Sequence, residues 1–328
     1  MAYACTVLAD SVSPAGDRIT TFEVTFPRLV LAEFNTHRVF SRNSASSRAI
    51  PVATQLRRVL EDPYVPAEFG TNQPGMQAGP SLTGEPAARA RGEWLAARDA
   101  AVAHVIGLIA EPGTVRPGAP TSELLELVEQ LRARISARDV PDTWLNVHKQ
   151  LANRLLEPFM WHTLIVTSTE WDNFFHLRAH PDAQPEIQEI AARMLAAYEA
   201  SVPRAVAEGE WHLPLVGEHG GDPAADADLS DGDLLKVAVG RCARVSYLTH
   251  GGTRDPSADI TLHDRLLESA HLSPFEHPAR PMTEAELAES AWSGNFRGWH
   301  PYRKDIPHEW DALGAEPAIE LEELAPTG

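Results

Sequence analysis

Residues 19–34 read ITTFEVTFPRLVLAEF, a run of β-branched and aromatic side chains that suits a packed, pleated strand better than a helix. One or two strands are expected here, with Pro27 marking a break or a sheet edge. What the strand feeds is more unusual. Residues 34–60 contain no Asp or Glu, yet Arg38, Arg42, Arg48, Arg57 and Arg58 all fall within them. The whole chain carries 46 acids against 28 lysines and arginines, for a formal charge of −18. A basic window in so acidic a chain marks a place where a small anion can be held.

At 328 residues and 43% hydrophobic content, the chain can bury one large core, or a core with an inserted subdomain. Its net charge argues against a nucleic-acid polymer as partner, because such proteins present basic surfaces to phosphates. No stretch approaches the roughly 18 apolar residues of a membrane span, and MAYACTVLADSVS lacks the layout of a signal peptide, so a cytoplasmic protein is expected. Cys5 and Cys242 are too few for a disulfide framework and sit in no metal-ligand spacing; both read as reduced and structural.

Along the chain, a Pro/Gly-rich loop at 62–86 is too long for a simple connection. Helices are expected at 87–109, at 122–137 after a Thr/Ser cap, at 142–157, and at 185–201, where Ile187, Ile190, Met194 and Leu195 share a face. The acidic, Pro/Gly-rich residues 203–229 read as a linker. A helix capped by Ser230 or Asp231 should run to about Tyr247, another should span 259–270, and the tail at 316–328 reads as acidic and frayed.

Three motifs could carry chemistry. In THRVFSRNSASSR, residues 36–48, Ser41, Ser44, Ser46 and Ser47 crowd the turn after the strand, and Arg with Ser on a turn is a natural phosphate cradle. A solvated Ser-rich loop fits the same composition. In NFFHLRAHPDAQPEI, residues 173–187, Arg178 is either snorkelling to solvent or held for a ligand, and Arg154 in NRLLEP has the same two readings. In AHLSPFEHP, residues 270–278, two histidines and Glu276 invite a zinc reading, but their spacing fits no common zinc pattern, and no metal is expected. No GxGxxG or GxxxxGK[ST] loop and no nucleophile elbow is present.

Together these blocks resemble the flavin-dependent thymidylate synthases, the ThyX family. The seven positions of the family signature RHRxxSxNxxSxR are occupied by Thr36, His37, Arg38, Ser41, Asn43, Ser46 and Arg48, and all but Thr36 match. NFFHLRAHPDAQPEI follows a second family block, and ARVSY at 243–247 and HLSPFEH at 271–277 are similar to two more. In the family those last two precede the signature strand, whereas here they follow everything else, which resembles a circular permutation with 203–229 as the join. That order requires 271–277 to lie beside the strand and turn of 19–48.

The resemblance implies an α+β fold: a central mixed or antiparallel sheet flanked by helices, in a single domain spanning 1–328, with a helical and loop insertion at 56–142. It implies that FAD, reduced by NADPH, takes a one-carbon unit from methylenetetrahydrofolate and passes it to carbon 5 of dUMP without a protein nucleophile. By motif position, Arg178, Arg154, His271 and Ser46 are the catalytic candidates. Arg48, Ser46, Ser47, Glu33, Arg154 and Arg178 are assigned to substrate, and His37, Arg38, Asn173, Ser246 and Ser273 to FAD. Family sites are shared between subunits, so a homo-oligomer, a tetramer, is implied. Three departures stand out: Thr36 replaces the first signature arginine, Ser44 replaces an acid, and Glu33 replaces a neutral amide. They leave open another pyrimidine nucleotide, for instance one that is hydroxymethylated, or a non-catalytic nucleotide-binding homologue. The 293–304 segment reads as a ligand edge or as an ordinary packed tail.

Overall fold

The computed structural model describes residues 2–307 except 47, 112, 218–220 and 246–254. Its centre is a mixed five-stranded sheet of β1 (Ala4–Val12), β2 (Arg18–Pro27), β3 (Ser41–Ser44), β4 (Trp161–Ser168) and β5 (Arg204–Ala205), in the order β3-β4-β2-β1-β5. All pairs are antiparallel except β1 with β5. Pro27 is the last residue of β2, where a missing N–H costs the sheet least. The α+β class and the strand at the start of 19–34 therefore stand; residues 28–34 instead leave the sheet as a 3-10 turn (Arg28–Val30) and a short helix α1 (Leu31–Phe34).

Strand alternation divides the sheet into two buried faces. Phe22, Val24 and Phe26 of β2, with Leu164 and Val166 of β4, join Phe34, Phe40, Trp171, Phe174, Ile187, Ile190 and Met194 in one core. This face is covered by the 28–40 crossover and by α6 (Asp172–Arg178) and α7 (Pro185–Ala200). Leu195 packs on the edge of the same cluster. On the opposite face Leu8 and Ile165 meet Leu215, Cys242 and Val245 from the C-terminal part of the chain. Because β4 is buried on both sides, its sequence WHTLIVTS shows no useful alternation, which is why it was not legible as a strand.

Between β3 and β4 the chain builds a second core from α2 (Val52–Glu61), α3 (Gly84–Ile109) and α4 (Thr121–Ser136), with Leu56, Val59, Val102, Ile106, Leu124 and Val128 at its centre. Thr121 is the first residue of α4 rather than its cap, which is Pro120. The helix expected at 142–157 is a correction. Residues 142–148 are not helical, Asn146 takes a φ of +46°, and His148 caps α5 (Lys149–Ala152), which passes directly into a 3-10 turn, Asn153–Phe159. Asn153 donates its side-chain amide to the Ile50 carbonyl instead of facing solvent.

The acidic residues 203–229 contribute β5, bury Val206 and Leu215, form a short helix α8 (Pro223–Asp226), and place Asp226 against Arg241 in a bidentate pair with both distances 2.7 Å. Arg241 lies on α9 (Asp231–Ala243), capped by Ser230 as expected, and also reaches Asp259 of α10 (Pro256–Glu268) at 3.1 Å. Gly240 permits this: a Cβ there would sit 2.4 Å from the Asp259 carbonyl.

One polar chain fastens the C-terminal part to the sheet. Ser11 is hydrogen-bonded to His212 Nδ1 at 2.9 Å, and His212 Nε2 to Thr21 at 2.8 Å. Thr21 joins Thr167 at 2.7 Å, and Thr167 joins His277 Nδ1 at 2.8 Å. Every member is buried, so each hydroxyl depends on its neighbours for partners. Removing the middle link, Thr167→Val, should cost about 1–3 kcal/mol by orphaning groups on either side, visible as a lower urea midpoint. Burial holds His277 well below its usual 6.5, at about 3, and burial with Arg28 does the same to His162. The unfolded chain therefore takes up these protons first, and stability, complete above pH 6.5, should fall as pH drops from 6.5 toward 3. His277→Gln should flatten part of that slope in melting temperature against pH; an unchanged slope would contradict it.

Candidate active site

The crossover from β2 to β3 runs over the aromatic core, and that core fixes the turn. Phe34 stacks on Phe26 with centroids 5.1 Å apart, and Phe40 sits 4.6 Å from Trp171. Between them His37 lies over Phe40 and edge-on to Phe174, at 5.6 and 5.0 Å. Phe174 is on α6, so the same contact sets where Arg178, one turn later, can reach.

Arg178 donates Nε to His37 Nε2 and Nη2 to the Thr36 hydroxyl, both at 3.1 Å. A guanidinium can only donate, so His37 carries its proton on Nδ1. Burial, then the Arg178 and Arg42 charges, hold the His37 pKa down at about 4, so the ring is neutral at pH 7. Arg42 donates to Asn35 Oδ1 at 2.9 Å, and Asn35, Thr36, Arg38 and Arg42 line an open pocket with Ala32. Glu33 lies one turn earlier, with one carboxylate oxygen buried and unpartnered. Asn173 is exposed on α6 near this cluster.

Most arginines of the chain are neutralised locally, as Arg28 and Arg154 are by Glu157 at 2.9 and 2.7 Å. Among the described residues Arg38, Arg42, Arg48 and Arg178 have no carboxylate within ion-pair distance. Four such guanidiniums in a chain of charge −18 are positive charge left available for a ligand. Arg42 and its acceptor Asn35 line this pocket although the motif reading did not single them out; the acid-free window was the signal for Arg42.

The expected residues do not all converge. Ser41 pairs with Thr167 and Ser44 with Leu164, so β3 runs from the C-terminal end of β4 back toward its start. Thr36, His37, Arg38 and Arg178 therefore lie at the C-terminal end of β4. Ser46 and Arg48, both exposed, and the half-exposed Arg154 lie at its N-terminal end, where Ala45 bonds Thr163 and Lys149 reaches Ala49. Eight residues of strand at ~3.3 Å each put the two groups roughly 25 Å apart. His271 and Ser273 are exposed on the opposite face of the sheet; Ser47 and Ser246 lie outside the described residues.

The 3-10 turn Ser273–Glu276 packs against β3, Asn295 donates to Ser41 at 3.2 Å, and His277 reaches Thr167. The turn thus lies where the permuted block order requires. In the 293–304 stretch Trp299 is fully buried and Tyr302 stacks on Phe275, so these aromatics are packed in the core.

A sequence model described as thymidylate synthase complementing protein (Thy1) matches residues 11–204, more than half of the chain. The chain belongs to that family. The match takes in β2, β3 and β4, the basic turn, α6 and α7, and stops before the 243–247 and 271–277 blocks. No curated protein matches. Among solved structures, the chain is similar to a UMP/dUMP methylase, PolB, from Streptomyces cacaoi bound with 5-Br UMP. That likeness has 14% identity, 60% coverage of this chain, 88% of the other and a TM-score of 0.38, too loose to carry an argument. Family membership does not by itself fix the ligand of the turn.

The Arg178–His37 bond makes a direct prediction. In Arg178→Ala the His37 pKa should rise from about 4 toward, but not to, the ordinary 6.5, because burial persists. Titration of the imidazole by NMR would show it, and a value still near 4 would refute the contact.

Proposed function

We propose that the protein is an FAD-dependent thymidylate synthase that converts dUMP to dTMP with methylenetetrahydrofolate and NADPH. The observation that carries this reading is the set Arg38, Arg42, Arg48 and Arg178, which no carboxylate among the described residues pairs with. They suit FAD: Arg38 and Arg42, beside the neutral ring of His37, fit a diphosphate. Asn173 would extend that hold; Ser246 is assigned to FAD by motif position alone, and Ser273, on the opposite face of the sheet, would reach FAD from a second copy. Bound FAD would supply the redox and one-carbon-carrier chemistry.

The protein's own part is binding and charge stabilisation. Arg48 and Ser46, with Ser47, hold the substrate phosphate, and Glu33, at the other end of β4, contacts substrate held by a second copy. Arg178 and Arg154 face the pyrimidine carbonyls, where negative charge develops as carbon 5 attacks. His271, exposed on the opposite face of the sheet, would stand at the flavin edge or at a solvent gate of a site shared with a second copy. No cysteine nucleophile is needed, and burial makes both thiols poor ones: it pushes Cys5 up to about 12 and Cys242 higher still.

Because one chain holds the two groups at opposite ends of β4, a complete site takes residues from two copies, in keeping with a homotetramer. Exposed leucines occur on both sides: Leu145, Leu151 and Leu155 around Arg154, and Leu177 next to Arg178. Such side chains are what a subunit interface covers. The block order is read as a circular permutation joined through 203–229. Thr36 and Ser44 favour a second reading, modification of a different pyrimidine nucleotide, since a hydroxyl stands where the family places a cation and another where it places an acid. No helix among the described residues is long and apolar enough to cross a membrane.

Release of tritium from carbon-5-labelled dUMP, with NADPH and methylenetetrahydrofolate omitted in turn, tests the reading. Release that depends on both is expected, and no release under any condition contradicts it; mass spectrometry of the product separates methylation from hydroxymethylation. Arg178→Ala should reduce turnover on the order of 10²–10³-fold with the melting temperature little changed. Leu151→Glu with Leu155→Glu should yield smaller, inactive species by light scattering, whereas active full-size oligomers would refute the interface.

A further inference from the structure

Thr36 is exposed, yet its side chain is held from two sides. The hydroxyl donates to the Glu33 carbonyl at 2.6 Å, back across the end of α1, and accepts from Arg178 Nη2 at 3.1 Å. A hydroxyl has one hydrogen. With that hydrogen committed to Glu33, the oxygen meets Arg178 as an acceptor only, and branching at Cβ restricts the χ1 rotation that would carry it away.

His37 meets the same guanidinium through Nε. Nε and Nη2 share one edge of the planar group, so two acceptors on adjacent residues fill that edge and fix the orientation of the plane as well as its position. Either bond alone would leave a long, flexible side chain free to turn about it. The other edge, Nη1 with the second hydrogen of Nη2, is a fork of two donors, and among the described residues nothing accepts from Nη1. The residue at 36 therefore has to be an acceptor. An arginine there, as in the signature, can only donate, and it would set a second cation against Arg178. We infer that Thr36 is a positioning residue, which with His37 grips one edge of the Arg178 guanidinium and keeps the two-donor edge available for a ligand with paired acceptor atoms. The inference rests on the proposed role of Arg178 and gives that role a residue that otherwise stands only as a mismatch to the signature.

The His37 pKa reports this grip without substrate, because the Arg178 charge is one of the causes that hold it near 4. NMR titration of the imidazole in the full-length protein should give a higher value for Thr36→Val, which keeps the shape and loses the acceptor. Thr36→Ser, which keeps the acceptor, should stay near 4. In an Arg178→Ala background Thr36→Val should add nothing, since the group it acts through is gone. The melting temperature should change little throughout; a merely structural Thr36 would lower it and leave His37 where it is. An unmoved His37 in Thr36→Val, an equal rise with Arg178 absent, or a Thr36→Ser protein that behaves like Thr36→Val overturns the inference. Tritium release plays no part in these titrations, so the reading of the reaction and this one can fail separately.

Discussion

Strand β4 is the constraint on which the rest depends. It pairs with β2 along its whole length and with β3 over its second half, and it is covered on both faces. A strand held on four sides cannot bend, so whatever attaches to its two ends stays apart. Attached to one end are Thr36, His37 and Arg178, and to the other Ser46, Arg48 and Arg154. The separation of the two groups of candidate residues follows from strand geometry and is no accident of loop placement.

The second element of the design is polar. The chain from Ser11 through His212, Thr21 and Thr167 to His277 crosses three strands of the sheet and two segments of the C-terminal part. Hydrophobic contact alone would hold that part to the sheet without fixing its register, whereas buried hydroxyls and imidazoles accept only an arrangement that satisfies them. The result is that residues 271–277, last of the family-like blocks in sequence, lie against β3, the first of them. The Arg241 cluster with Asp226 and Asp259 does the same inside the C-terminal part, where a buried cation is held by two carboxylates and the Leu215 carbonyl.

The sequence made the chemistry more legible than the architecture. An acid-free window containing Arg38, Arg42 and Arg48 is a statement about charge, and charge survives folding unchanged. The amphipathic helices were also legible, because Ile187, Ile190 and Met194 repeat at helical spacing. β4 was not, since a strand buried on both faces loses its alternation. His212 was not legible either: its role rests on Ser11 and Thr21, distant positions that only the fold brings together. The helix at 142–157 was overdrawn because apolar residues such as Leu145 and Leu151 look like a buried stripe, yet both are exposed. Arg154 had two readings in sequence, and the structure adds a third consideration, its pairing with Glu157.

The central claim is that a working site needs both ends of β4, contributed by different copies. Mixing Arg178→Ala protein with Arg48→Ala protein, each inactive alone, tests it most directly, with subunit exchange verified by mass spectrometry. If sites are shared between copies, hybrid oligomers would contain some in which both arginines are intact, so tritium release from dUMP should return as the two are combined. Verified exchange without any recovery of activity, at any mixing ratio, would contradict the account.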